Sequence, residues 1–160
     1  MEMPEQHVDG EFTEVTLVFY DGSQRTIRLI DEEVPYPDGR LIVSRTDLHG
    51  VITQCNQSFV LMSGYTEAEL VGQQHCILRH PDMPAAAFQD LWLTIERGEP
   101  WHGYVKNLRK DGRYYWVFAS VIPNKREGRI VSYTSVRRKP SRTKIRDAES
   151  LYRKMLDEQS

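Results

Sequence analysis

Within positions 75–82 the chain places two histidines, an arginine and an aspartate, His75, Arg79, His80 and Asp82, just ahead of an apolar helical pattern. Trp92 and Trp101 follow at short range, and then the run Lys110-Asp111-Gly112-Arg113-Tyr114-Tyr115-Trp116. Guanidinium and imidazole donors beside flat side chains suit an anionic, planar aromatic ligand better than a catalytic triad. Arg79 offers a guanidinium to phosphates, or pairs with an acid at the surface. His75 and His80 offer donors to ring or phosphate oxygens; the alternative is one buried structural imidazole and one exposed. Asp82 stands where a helix N-cap belongs, and capping alone would explain it. Trp101 is placed to stack on a ring or to fill the core, and Trp92, on the apolar helix face, reads as core. Tyr115 and Trp116 alternate on a strand, so only one of them faces a cavity.

The signatures of common enzyme sites are missing. None of the ten glycines forms a G-x-G pair, and there is no G-K-[ST] loop or H-E-x-x-H. Ser58 and Ser63 lack a nucleophile-elbow context, and no two carboxylates stand out as an acid/base couple. The chain therefore reads as a non-enzyme. A net charge of −2 gives no bulk attraction to nucleic acid or anionic membrane. No apolar run approaches the roughly 20 residues that cross a bilayer. Cys55 and Cys76 form neither a disulfide framework nor a zinc spacing; beside an acidic, polar N-terminus they read as reduced thiols of a cytoplasmic protein.

The elements that must position these groups follow from periodicity. Val15, Leu17 and Phe19 alternate, Asp21-Gly22 supplies a turn, and residues 11–30 form a β-hairpin. Residues 31–39, with two prolines and four acids, read as a linker. Two short strands flank Asp47-Leu48-His49-Gly50. Asn56 caps a helix carrying Phe59, Val60 and Met62 that ends near Gly64. Thr66 and Glu69 make a capping box. A longer helix opens at Asp82 and Pro84, shows Phe88, Leu91, Trp92 and Ile95 on one face, and closes at Gly98. Strands at 102–108, 113–123 and 129–137 are separated by turn residues at 110–112 and 126–128. The order predicts an α+β fold: a five-stranded antiparallel sheet with short helices on one face. Beyond Pro140, Ile145, Ala148, Leu151, Tyr152 and Met155 recur as an amphipathic helix with no further domain to bury it. Residues 1–37 are thus an N-terminal extension, 38–140 the main domain and 141–160 a flanking helix.

The order of elements, with Asn56 opening the first helix and Asp111-Gly112 between late strands, resembles a PAS domain. The closer resemblance is to the FAD-binding PAS domain of bacterial aerotaxis receptors, over about residues 38–156. It is carried by Ser63-Gly64-Tyr65, Gly72-Gln73, His75, the run Arg79-His80-Pro81-Asp82-Met83-Pro84, Gly98-Glu99-Pro100-Trp101, Val105-Lys106-Asn107 and Ser135-Val136-Arg137. The resemblance implies non-covalent FAD between sheet and helices, held by Asn56, His75, Arg79, His80, Asp82 and Trp101, with Tyr115 as a further candidate. The hairpin at 11–30 is not part of that pattern.

The expected function is a cytoplasmic redox or oxygen-linked sensor that passes flavin state to flanking helices. A homodimer and a downstream signalling protein are the expected partners, with neither nucleic acid nor membrane insertion. The alternatives are a cofactor-free PAS interaction module, a flavin-dependent enzyme, or a haem-based gas sensor using His75, His80 or His102. Light-sensing PAS relatives form a cysteinyl–flavin adduct from a Cys three residues after a Gly; here that position is His75. Cys76 falls one later, rotated about 100° on a helix, so no adduct is expected. Cys76 and His80 alone are too few ligands for a metal site.

Overall fold

The computed structural model describes residues 3–19 and 21–159; Tyr20, placed by the sequence at the end of the first strand, lies outside them, as do Met1, Glu2 and Ser160. Strand β1 (Thr13–Val18) pairs antiparallel with β2 (Gln24–Leu29), Thr13 opposite Leu29 through Val18 opposite Gln24. Their alternation turns Leu17 and Ile27 inward, where both are buried with Leu108.

Residues 31–37 are more than a linker. The Val34 amide donates to the Tyr114 carbonyl at 2.7 Å, and the Tyr114 amide to the Glu32 carbonyl at 3.1 Å. Tyr36 is buried, and its hydroxyl reaches the carbonyls of Arg40 (2.7 Å) and Arg137 (3.0 Å).

The main sheet is antiparallel throughout. It comprises β3 (Ile42–Thr46), β4 (Ile52–Cys55), β5 (Trp101–Leu108), β6 (Tyr114–Arg126) and β7 (Arg129–Arg138), in the order β4-β3-β7-β6-β5. Glu127 (φ 51°) and Gly128 (φ 80°) alone join β6 to β7, which is how a two-residue turn with two positive φ angles matches the strand twist. Between β4 and β5 lie α1 (Gln57–Ser63), α2 (Glu67–Leu70), a 3-10 turn (His75–Leu78) and α3 (Ala85–Glu96). The caps expected for the first two helices are present. Asn56 Oδ1 accepts from the Phe59 amide, Gly64 (φ 79°) ends α1, and Thr66 with Glu69 forms a reciprocal capping box on α2. The α+β arrangement is the one expected.

Register fixes which side chains face the helices. Tyr115, Val117, Ala119 and Val121 of β6 lie opposite Asn107, Val105, Gly103 and Trp101 of β5. Together they form the inner face, against Phe59, Leu78, Met83 and Ile95 of the helical segment. The intervening Tyr104, Trp116 and Phe118 face the other way. There α4 (Arg142–Gln159) lies on the sheet with Ile145, Ala148 and Tyr152 buried. The Tyr152 ring stacks on Trp116 (6.4 Å, 15°), and its hydroxyl donates to the Tyr104 carbonyl at 2.6 Å. The sequence left the apolar stripe of α4 without a partner; the outer face of the sheet covers it, because alternation makes that face aromatic too. Among the described residues no helix is long and apolar enough to cross a membrane.

Candidate ligand-binding site

The inner face carries a buried cation. Counting alternate residues along β7 from the buried Tyr133 brings Arg137 to the same face, where it is only 2% exposed. Its Nη2 donates to Ser44 Oγ at 2.6 Å and its Nη1 to His75 Nε2 at 3.0 Å, and the guanidinium lies 4.6 Å above the Phe59 ring. No carboxylate pairs with it among the described residues. Burial pushes its pKa down to about 10, partly offset by the neighbouring Tyr115, Tyr36 and Cys55, so at neutral pH it remains charged. Its Nε is buried with no acceptor, and the hydroxyl of the fully buried Tyr115 is likewise without a hydrogen bond of good geometry. Burial raises the Tyr115 pKa to about 12, leaving a neutral O–H. Uncompensated groups of this kind are rare in a protein interior and call for a partner.

His75, on the 3-10 turn, completes this cluster. Burial first, then the Arg137 charge, push its pKa down to about 3, so the ring is neutral. Because Arg137 can only donate, Nε2 is the acceptor and the ring proton sits on Nδ1. The imidazole also stacks on Phe59 at 5.8 Å. On a 3-10 turn successive side chains are about 120° apart, so with His75 turned to the interior, Cys76 points elsewhere. That exceeds the rotation expected for an α-helix and takes the thiol further from an adduct position.

Arg79 lies over the Phe88 ring at 5.2 Å, with a buried Nε lacking an acceptor. Its backbone bridges to Asn107 on the free edge of β5. Trp101 is buried on the inner face and donates from Nε1 to Asp90 at 2.9 Å. Its ring underlies Gly103, where a Cβ would come within 2.3 Å of it. Trp92 is only partly buried, edge-on to Tyr133 at 5.9 Å. Of the Tyr115–Trp116 pair, Tyr115 faces the interior.

Three of the sequence candidates have other surroundings. Asn56 Oδ1 accepts from the amides of Val43 (3.1 Å) and Phe59 (3.2 Å), while Nδ2 donates to the Leu41 carbonyl (2.9 Å), tying α1 to β3. Asp82 does not cap α3: the capping position is Pro84, with no side-chain bond. Its carboxylate instead pairs with Lys106 Nζ at 2.7 Å, and that ammonium lies 4.1 Å from the Tyr114 ring centre on the outer face. His80 is buried and His75 partly buried, where the sequence allowed one exposed. His80 Nδ1 accepts from the Asp82 amide at 3.1 Å, and its ring meets the edge of Tyr114 at 5.9 Å. Burial and the Lys106 charge hold its pKa well below the ordinary value, against the opposing pull of Asp82. His75, Trp101 and Tyr115 thus border the interior and Arg79 lies beside it over Phe88, whereas Asn56, His80 and Asp82 bind the surrounding frame. Sequence reasoning singled out no role for Arg137 or Ser44, although the count along β7 and its pairing with β3 would have brought both inward.

Comparison with known proteins agrees with the fold. The family model of the PAS fold matches residues 52–137. The chain is 48% identical over 122 residues to the aerotaxis receptor of Escherichia coli, covering 76% of this chain and 24% of the receptor. It is 32% identical over 81 residues to a nitrogen fixation regulatory protein of Klebsiella pneumoniae, covering 51% of this chain and 16% of that protein. The chain therefore spans a quarter or less of the length of these curated relatives, which are named for reception and regulation and not for a catalysed reaction. Among solved structures, a light-oxygen-voltage domain described with a flavin analogue has a TM-score of 0.61 at 24% identity, covering 76% of this chain and 90% of that one. At that identity the likeness establishes the fold alone.

Proposed function

This chain belongs to the PAS fold family, and we propose that it is a sensor domain that holds FAD non-covalently between the inner face of the sheet and the helical segment. The observation that carries the reading is Arg137, a buried cation with no acid beside it and an unpaired Nε. With the Tyr115 hydroxyl, which has the Asn107 side chain beside it, and the unpaired Arg79 Nε, it presents donors to carbonyl and phosphate oxygens within a largely apolar core. A flat dinucleotide carries acceptors of both kinds. The aerotaxis receptor lends the sensor part of the reading support from a relative, and the domain described with a flavin analogue shares the fold.

In this reading Arg137 and Tyr115 donate to the ring, His75 orients Arg137, Trp101 bounds the slot and Arg79 serves the phosphates. Asn56, His80 and Asp82 act indirectly, by holding α1 and the 79–84 loop against the sheet. The interior is filled by side chains such as Leu78, Met83 and Tyr115, so entry of the ring requires the 75–84 segment to move outward. When bound, the flavin supplies reduction and reoxidation, which alter charge and hydrogen bonding at one edge of the ring. Any such change alters what Arg137 donates to, and so its bonds to His75 on the 3-10 turn and Ser44 on β3. The inner and outer faces share strands β5, β6 and β7, and α4 rests on the outer face, so its docking equilibrium shifts with the ligand state.

The reading has residues 38–140 act as the sensor unit, with 1–37 and 141–160 as flanks. It works in the cytoplasm as a homodimer and signals through α4 to a downstream protein or domain, without nucleic acid and without inserting into a membrane. Haem finds less support. His75 Nε2 is taken by Arg137, His80 is enclosed against Tyr114, and His102 is exposed and bonded to Ser120. The test is hydrogen exchange on the FAD-loaded protein, oxidised against dithionite-reduced. Altered protection across 142–159 is expected, and identical protection there rules out α4 as the output.

A further inference from the structure

The interior site leaves one well-placed cation unused. Arg25, on β2 of the N-terminal hairpin, donates from Nη1 to the Ile77 carbonyl at 2.8 Å and from Nη2 to the Tyr65 hydroxyl at 3.2 Å. These bonds fix its guanidinium against the 3-10 turn. Side chains at i and i+3 of such a turn eclipse, so Cys76 and Arg79 share a face, and the charges of Arg25 and Arg79 both bear on the Cys76 thiol. Neither guanidinium has an acid partner among the described residues. Asp21, the acid felt at the same thiol, is bound by the amide and hydroxyl of Ser23. Two guanidiniums brought to one turn from distant parts of the chain leave positive charge there without a counter-ion, which a shared anion would supply.

We propose that Arg25 and Arg79 form an anion site beside Cys76 that takes the diphosphate of the bound dinucleotide, so that the hairpin supplies half of the phosphate site. This rests on the flavin reading. Guanidiniums are the side chains suited to paired contacts with phosphate oxygens. The hairpin, absent from the pattern of the aerotaxis family, thereby gains a role: its Leu17–Ile27–Leu108 contact carries Arg25 to the turn that bears Arg79.

The test compares FAD and riboflavin affinity in ligand-free wild-type protein and Arg25→Ala, by quenching of flavin fluorescence. Loss of a charge-assisted phosphate contact weakens FAD roughly 10- to 100-fold and leaves riboflavin, which has no phosphate, unchanged. An unaltered ratio of the two affinities overturns the proposal, whether both hold or both fall; the latter is the result of a folding defect. A second arm needs no flavin. In a Cys55→Ser background, inorganic pyrophosphate slows alkylation of Cys76, and adding Arg25→Ala removes that protection. If wild-type protein binds no flavin, the flavin reading fails. Protection by pyrophosphate then still upholds the anion site for another phosphate ligand, and absence of protection ends it.

Discussion

Replacing Arg137 with methionine separates a ligand-binding role from a structural one, because the first leaves stability nearly unchanged and the second lowers it. A guanidinium whose pKa is pushed from 12.5 down to about 10 by burial is charged in the fold at a disadvantage of roughly 3 kcal/mol. Methionine, similar in length and flexible, keeps the packing over Phe59 and removes that disadvantage. Against this stand the bonds to Ser44 and His75, together about 1–3 kcal/mol, and the contact with the Phe59 face, about 0.5–1 kcal/mol. With no carboxylate left stranded, the balance lies between roughly 1 kcal/mol against the variant and roughly 1.5 kcal/mol in its favour. At about 2–4 °C per kcal/mol for a chain of this size, the Tm of flavin-stripped Arg137→Met stays within roughly 5 °C of the wild-type value. FAD affinity, in contrast, falls at least about 10-fold with the loss of a charged donor. Circular dichroism melts and a fluorescence titration on the same preparations give both numbers. A Tm loss of more than roughly 5 °C with FAD affinity intact would refute the reasoning and make Arg137 a structural residue.

Three further outcomes follow from the same geometry. Asn56→Ala removes three hydrogen bonds at the α1–β3 junction and should lower urea stability by about 2–4 kcal/mol while leaving the flavin affinity of the folded protein unchanged; selective loss of flavin would place Asn56 on the ligand. His75 keeps a folded pKa of about 3 against an ordinary 6.5, so the unfolded chain takes up a proton that the folded one refuses. Stability is therefore lost as pH falls from 6.5 towards 3, by up to roughly 1.4 kcal/mol per pH unit, and His75→Gln flattens the profile by that one proton. Asp111, held down to about 2 mainly by Arg109 and Arg113 against burial, contributes its loss only below pH 3.8, so the two effects separate in a denaturation series. Blue illumination of the flavin-loaded protein should leave its absorption spectrum unchanged, since Cys76 is turned about 120° from the interior-facing His75; a reversible bleach abolished by Cys76→Ser would contradict that orientation.

Much of the architecture was legible because short-range chemistry dictates it. Asn56, Gly64 and the Thr66–Glu69 box delimit the first two helices through their own side chains and φ angles. Glu127-Gly128 closes the last hairpin for the same reason. The misreadings all involve partners distant in sequence. Asp82 looked like a cap, but Lys106, 24 residues on, draws its carboxylate away. Residues 31–39 looked like a linker because prolines and acids dominate, while Tyr114 offers Glu32 and Val34 backbone partners that composition does not announce. The stripe on α4 finds Trp116 and Tyr104 only once alternation is applied to both faces of the sheet. Arg137 escaped because arginine is almost never buried unpaired; its departure from that rule is what marks it as part of a site.

The most direct test of the central claim is an absorbance-monitored titration of the flavin-stripped 160-residue chain with FAD. The account predicts saturable binding of one FAD per chain, with the resolved, shifted bands of a flavin in an apolar pocket, and intact FAD recovered on heating. Free-flavin spectra at every ratio, with nothing retained on the protein after gel filtration, would contradict it and leave a PAS module that acts through its surfaces.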